Sequence, residues 1–572
     1  MSEMAQQNKW DKSVDLLVIG SGAGGLSAGL RASALGSEVL IIEKGDAYGG
    51  STAMSGGVCW VPNNPYMAKL GLEDNPEDAL TYLTAITNSE VSQERLKAYM
   101  DGALRALEFF ESETWVRFDA LKLYTDYYPE APGGRSGGRS MESRPFDGAK
   151  LGEDLRLLRK PHPQSQILGK FGITAAQAHT LLQHGLTSTL MVLWCFLLYA
   201  LRYPKRRKYG RDTHLVTGNA LIARLRLSLK ERGVPLWLHT GAQKLIHDPD
   251  TGRVVGAEID HEGTPMRIEA RQGVVLAAGG FSRNLEMRKK YQRTPITDTW
   301  SAGNLDNMGD GIRMGMEAGG SIDLMKEAWW TPVTMVPRQK LAWVLVVEKN
   351  LPGTIFVNAQ GRRFANEAAP YIDVVVDMYE AEESPAVPCS MIFDATYRYK
   401  YPVGPIAPGY AMPDSRVPRK LRNGAFLHKA DTLEELAQQL DLDPPVLKAT
   451  ISHWNTMARA GKDEDFGRGE SLSDRYYGDP RVGPNPCMAP IEKAPFYAIK
   501  VYPGDLGTKG GLRTDPQARV LTEDDTPIDG LFAVGNCSAA VMGRTYPGAG
   551  GTIGPALVFG FIAAETARGS AT

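Results

Sequence analysis

The residues of this chain best placed to do chemistry are glycines set where backbone must meet a charged ligand. Gly20, Gly22, Gly24 and Gly25, with Ala23 among them, directly follow the apolar run Leu16-Leu17-Val18-Ile19. Gly20 and Gly22 allow a sharp turn and close approach to a pyrophosphate, and Gly25 lets the next helix pack against the sheet. The N-terminus of that helix offers free N–H groups and a partial positive charge to phosphate. A second apolar run, Val39-Leu40-Ile41-Ile42, ends in Glu43, 18 residues after Gly25, where a carboxylate can accept hydrogen bonds from a ribose. A lone Gly-x-Gly-x-x-Gly arises readily by chance among 61 glycines. The complete strand–turn–helix–strand–acid unit does not, and it predicts a dinucleotide site.

Lys44 follows at once, and the run 49–57 carries Gly50, Ser51, Thr52, Ser55, Gly56 and Gly57. Such small and hydroxyl-bearing residues let backbone lie against a flat, polar-edged ligand. A nicotinamide-binding domain ordinarily proceeds straight to its next strand, whereas this stretch resembles the flavin-contacting loop of FAD enzymes. The alternative reading is a flexible surface loop. Later strands are expected at 254–259 and 273–280, the second ending in Ala278, Gly279 and Gly280. Asp310 sits at a loop-to-helix junction, 307–311. Near the C-terminus a short strand at 530–536 carries Gly535 and Asn536. The glycine run 548–554, with Gly551 and Ile553, then precedes an apolar helix to about Ala567. The alternation of strand and helix patterns argues for the α/β class. The expected architecture is a Rossmann-type FAD-binding domain made from both chain ends (1–330 and 501–572), with an α+β catalytic domain inserted at 331–500.

At 572 residues the chain suits two or three domains. A net charge of −2, with no basic arm, gives nucleic acid no electrostatic footprint. The five cysteines are scattered without a Cys-x-x-Cys, and the nine histidines show no metal-ligand spacing, so neither disulfides nor metal is expected. No Gly-x-Ser-x-Gly supports covalent catalysis. The N-terminus is polar and lacks a twin arginine, so a cytoplasmic protein is expected. The stretch 150–215 stands apart. Residues 190–201 are continuously apolar, and the basic run Lys205-Arg206-Arg207-Lys208 follows. Twelve residues make a helix of about 18 Å, short of a hydrocarbon core of about 30 Å. Extending back to Leu181 adds Gln183, His184 and Gly185, which weakens a spanning reading further. Two readings stay open for 186–209: a helix lying in the membrane interface on the inner face of the cell membrane, or a buried or dimer-interface helix.

Taken together, the fingerprint, the 49–57 loop, the 277–280 strand end and the 530–554 block resemble the succinate dehydrogenase/fumarate reductase flavoprotein superfamily. Within it the chain is most similar to the 3-ketosteroid Δ1-dehydrogenases. Three segments carry that likeness: Tyr124-Thr125-Asp126-Tyr127-Tyr128-Pro129-Glu130, residues 363–371 ending in Pro370-Tyr371, and Gly543-Arg544-Thr545-Tyr546-Pro547-Gly548-Ala549-Gly550. Fumarate reductases place an arginine where this chain has Tyr371, and a substrate-holding histidine where it has 506–511 without one, which disfavours a dicarboxylate substrate. The resemblance implies Tyr371 as the base, working as tyrosinate. It implies Tyr127 as that base's hydrogen-bond partner, and the Tyr546 hydroxyl with the Gly550 N–H as donors to a C3 carbonyl. Tyr124 and Tyr128 compete for the role of Tyr127. Tyr502 is expected to line the pocket and Glu367 to be structural or flavin-side. The cofactor contacts expected are Gly20, Gly22, Ala23, Gly24, Gly25, Glu43, Lys44, Gly50, Ser51, Thr52, Ser55, Gly56, Gly57, Ala278, Gly279, Asp310, Gly535, Asn536, Gly551 and Ile553. With no histidine in 44–60, the FAD is expected to be non-covalent. The implied partners are a 3-ketosteroid, cholest-4-en-3-one among the candidates, and an electron acceptor of unspecified identity. The rival readings are a 3-ketosteroid Δ4-(5α)-dehydrogenase and a flavin-binding lipid protein without redox turnover.

Overall fold

The computed structural model describes residues 10–167, 169–182, 186–381, 385–422 and 424–569. The expectations that fell on 1–9 and 183–185 lie outside them. β1 (Lys12–Ile19), α1 (Ala23–Ala34) and β2 (Val39–Ile42) form the expected first βαβ unit. β1 is parallel to β2, with Leu16 opposite Val39 and Ile19 opposite Ile42. On its other side β1 runs parallel to β3 (Thr264–Leu276), and β3 runs parallel to the strand Pro527–Ala533. Both chain ends therefore meet in one sheet. Val14, Leu16, Leu17 and Val18 are fully buried, as an all-apolar parallel strand covered on both faces must be.

Helix α1 is rich in alanine and glycine because another helix needs its surface. The C-terminal helix Ile553–Gly569 lies so close that a Cβ on Gly560 would stand 2.3 Å from the Gly24 carbonyl oxygen. The strand signals at 254–259 and 273–280 are realised as Val254–His261 and β3, which pair antiparallel.

A second, antiparallel sheet is built around two long strands, β4 (Ala328–Thr334) and β5 (Phe496–Thr508). β5 pairs with β4 through its C-terminal half and with Cys389–Asp394 through its N-terminal half. The apolar stretch at 190–201 lies in α2 (Leu186–Leu201), whose 16 residues reach about 24 Å. Among the described residues no helix is long and apolar enough to cross a membrane. The basic run that follows is itself helical, Tyr203–Tyr209. Helix α3 (Tyr371–Glu380) starts on the tyrosine singled out by the sequence.

Candidate active site

One cavity of about 580 Å³ joins the two regions the sequence singled out. Its wall runs from Gly20, Gly22 and Glu43 through the 50–57 loop, Gly279 and Asn536 to Tyr127, Tyr371, Tyr546 and Gly550. Of the expected cofactor contacts, only Gly25 and Gly551 stand behind this wall. A Cβ on Gly25 would lie 2.0 Å from the Gly20 carbonyl oxygen, so its task is packing the helix on the turn. Gly551 packs against Pro547 and Tyr546.

The residues at the fingerprint fit a dinucleotide. Gly20 adopts φ +113°, the left-handed region that a side chain resists, and a Cβ on Gly22 would meet nothing within 4 Å. Gly22 caps α1 with no side-chain hydrogen bond, and the first turn holds no acidic residue; the Ala23 N–H donates to Thr52 Oγ1 (3.3 Å), and the N–H groups beside it are open to an anion. Ser21 Oγ donates to Glu43 Oε2 (2.6 Å) and the Gly45 N–H to Oε1 (3.0 Å), which fixes the carboxylate at the end of β2. Ser51 Oγ accepts from the Asn304 N–H and the Asn307 side chain, both at 3.1 Å, tying the small-residue loop across the cavity. Lys44 pairs with Asp310.

The tyrosines gather at the other end. Tyr127 Oη donates to Tyr371 Oη at 2.8 Å, and the rings of Tyr127, Tyr371 and Tyr546 stand 5.3–5.4 Å apart, centroid to centroid. The competition within the 124–128 segment is resolved geometrically. Tyr124 shares a hydrogen bond with Tyr477 (2.6 Å), and Tyr128 donates to Asp373 (3.0 Å), leaving Tyr127 on Tyr371. Burial pushes the Tyr371 hydroxyl well above the ordinary tyrosine range, while the hydrogen bond from Tyr127 pulls the other way. Burial also raises Tyr546, whose Oη lies 3.2 Å from Thr552 Oγ1. Gly550 has φ +96°, and no acceptor among the described residues takes its N–H.

Residues to which no role was assigned from the sequence hold this end together. Asp126 forms an antiparallel bridge with Gly548, and the Tyr127 N–H donates to the Pro547 carbonyl (3.0 Å), which stitches Tyr127 to the turn between Tyr546 and Gly550. Arg139 holds Asp126 (2.8 Å) and Asp74 (2.7 Å), all three side chains fully buried, and Trp60 Nε1 donates to Asp126. Glu367 lies off the cavity in a buried cluster with Arg363 (2.9 Å) and Arg468 (3.0 Å). Burial pushes its carboxyl up, but the two guanidiniums outweigh this and hold it below the usual glutamate range. Tyr502 does not line the pocket, against expectation. It lies opposite Val333 and packs on Trp300 at 5.3 Å, and Leu506 of the same strand reaches the cavity. His162 does line it, with Nδ1 accepting from Gln164 and Nε2 on the Ala342 carbonyl. Burial lowers its pKa to about 4, so the ring is neutral.

A Rossmann-type fingerprint open to an anion, joined in one cavity to buried tyrosines, defines a flavin-dependent oxidoreductase of the α/β class. The FAD binding domain family model matches residues 15–553. The chain is 42% identical to a 3-oxosteroid 1-dehydrogenase of Mycolicibacterium smegmatis over 96% of each chain, and 35% identical to one of Comamonas testosteroni over 97% of this chain and 96% of that protein. The crystal structure of a 3-ketosteroid Δ1-dehydrogenase from Sterolibacterium denitrificans, solved with 1,4-androstadiene-3,17-dione, superposes with a TM-score of 0.94 at 45% identity, covering 98% of this chain and 100% of that one. The chain belongs to the FAD-dependent 3-ketosteroid Δ1-dehydrogenase family.

Proposed function

We propose that this protein catalyses the FAD-dependent 1,2-dehydrogenation of 3-ketosteroids, with Tyr371 as the base. The observation that carries the reading is the Tyr127–Tyr371–Tyr546 cluster beside the Gly550 turn, in the same cavity as the dinucleotide fingerprint. The C2 proton of a 3-ketosteroid is acidic because the C3 carbonyl takes up the developing negative charge. Tyr546 Oη and the Gly550 N–H would donate to that oxygen, and Tyr371 Oη would take the proton. The hydrogen bond from Tyr127 favours the ionised form of Tyr371. When bound, FAD supplies the hydride acceptor for C1. The fingerprint and the 50–57 loop would hold it non-covalently. In this reading 331–500 acts as a catalytic unit inserted into the FAD-binding part. Product analysis by mass spectrometry and NMR with a 4-ene-3-ketosteroid tests the reaction: a 1,4-diene is expected, and a product without a C1–C2 double bond would overturn it.

The segment before α2 supports a substrate that keeps its apolar side chain, such as cholest-4-en-3-one. Ile167, Ile173 and Ala178 line the cavity, and the chain then leads into α2. α2 turns Phe196 and Tyr199 inward onto Phe171. Leu190, Leu193, Trp194, Leu197 and Leu201, spaced along one face, are 49–67% exposed, and the basic helix Tyr203–Tyr209 follows. This pattern favours a peripheral contact with an anionic membrane surface. Losing Trp194 and Leu197 from such a contact removes roughly 1.5–3 kcal/mol each. The variant Trp194→Ser/Leu197→Ser is therefore expected to lose at least about tenfold in flotation with phosphatidylglycerol vesicles. Undiminished flotation would refute the membrane contact and leave the dehydrogenation intact.

A further inference from the structure

Two buried lysines have no part in the chemistry above. Lys509 has no exposed surface, and its Nζ donates to the carbonyls of Gly543 (3.1 Å) and Thr545. Lys349, 2% exposed, donates from Nζ to the carbonyls of Glu367 (3.0 Å) and Ala369. Thr545 immediately precedes Tyr546, and only Pro370 separates Ala369 from Tyr371. Each ammonium thus grips the backbone that delivers one of the two substrate-handling tyrosines.

Neither lysine forms an ion pair with a carboxylate of the described residues. Lys509 Nζ instead faces the Trp329 ring at 4.4 Å, and that ring stands against Tyr546 with centroids 4.7 Å apart. The ionisable groups around Lys509 are Glu327 and Asp373; those around Lys349 are Asp474, Arg468, Asp373 and Cys487. Burying an ammonium without a direct counter-ion is costly. A neutral amide can hold a carbonyl in this same turn without that cost, as the Asn350 side chain does at Ala368 (2.9 Å). Burial lowers both amines to about 7, so a part of each is charged at neutral pH. Lys509 Nζ lies 6.0 Å from the centre of the Tyr546 ring, and Lys349 Nζ holds the Ala369 carbonyl two residues before Tyr371, so the charged forms act close to where the reaction develops negative charge.

We propose that Lys509 and Lys349 are positioning residues that fix Tyr546 and Tyr371 against the substrate and whose positive charge favours the developing anions on the C3 oxygen and the Tyr371 oxygen. The inference rests on the roles given to those tyrosines above. Lys509→Met and Lys349→Met keep an unbranched side chain one atom shorter and remove the amine, with its charge and its hydrogen bonds to the carbonyls. Each is expected to lower kcat per bound flavin by about tenfold or more at unchanged KM for a 4-ene-3-ketosteroid, because the lost interaction acts only as charge develops. Lys509→Arg, which keeps the charge, should recover most of that loss. A purely structural role would instead show as lost flavin and lowered thermal stability, with kcat per bound flavin within about twofold of the parent protein. That result, or a Lys509→Arg protein no better than Lys509→Met, overturns the proposal. Lys349→Met is judged by the same criterion and decides the matter if Lys509→Met does not hold flavin. Tyr371→Phe, assayed in parallel, separates the two levels. An active Tyr371→Phe removes the tyrosine assignment, whereas an inactive one beside fully active lysine variants removes only the lysines.

Discussion

Tyr371→Phe is expected to lower 1,2-dehydrogenation of a 3-ketosteroid by about a thousandfold while FAD binding and the thermal transition stay near those of the parent protein. A positioned general base contributes about 10²–10⁴ in rate, and the substitution removes the one oxygen that receives the hydrogen bond from Tyr127 while keeping the ring in its packing against Tyr546. Phe leaves the Tyr127 hydroxyl without that acceptor, a penalty of about 1–3 kcal/mol at most, too small to unfold a domain of this size. The pH dependence has a definite sign. A base must be deprotonated to act, and burial raises the Tyr371 hydroxyl above the ordinary value of about 10. The fraction in the active form therefore grows with pH, while Lys509 and Lys349, lowered to about 7 by burial, lose charge over the same range. In the parent protein kcat/KM is expected to climb from neutral into alkaline solution, but less steeply than the titration of Tyr371 alone would give. Steady-state rates of 1,4-diene formation across pH, together with flavin content, check both statements. Near-full turnover in Tyr371→Phe would remove it as the base.

The second large effect belongs to Gly550. Its backbone sits at φ +96°, and a Cβ there would lie 2.5 Å from both the Trp60 N and the Val58 carbonyl oxygen. Those atoms are backbone of the strand Val58–Trp60, paired with Ser140–Ser143, so they cannot swing aside as a side chain could. Gly550→Ala must therefore displace the turn and carry its N–H away from the carbonyl position. Loss of one oxyanion donor costs about 10²–10³ in kcat, and we expect kcat/KM to fall by that much. The fingerprint stretch at 20–43 belongs to a different sheet from the strand Val58–Trp60, so the pyrophosphate end of the site is left in place and most of the flavin content is expected to persist. Normal turnover in the Gly550→Ala variant would show that the Gly550 N–H does not hold the substrate oxygen.

Local chemistry was the legible part. Gly20, Gly22, Gly25 and Glu43 work within one short βαβ unit, so their spacing already fixes the turn, the helix start and the position of the acid. The meeting of both chain ends in one sheet was also legible, because apolar strand signals followed by glycines, as at 16–25 and again at 530–535, recur at the two ends of the chain. The strands they mark both run parallel to β3 in one sheet. Tyr502 was misplaced because nothing local marks where along the strand the cavity begins. Tyr502 and Leu506, four residues apart, pack in the same cluster around Val333, yet of the two only Leu506 reaches the cavity while Tyr502 meets Trp300.

The sequence by itself determined the nucleotide fold, and through the motifs around Tyr371 and Tyr546 the family and its chemistry. The family likeness implied Tyr127, but separating it from its competitors Tyr124 and Tyr128 by geometry needed the tertiary structure, since the hydrogen-bond partner, Tyr371, lies 244 residues along the chain. So did the Asp74–Arg139–Asp126 clamp and the paired lysines beneath Tyr371 and Tyr546. The physical reason is the same in each case. A turn or a helix cap is a contact between near neighbours, which spacing records. A buried charge finds its partners across sheets and loops, and only the packed chain specifies which carbonyl or carboxylate comes within hydrogen-bond reach.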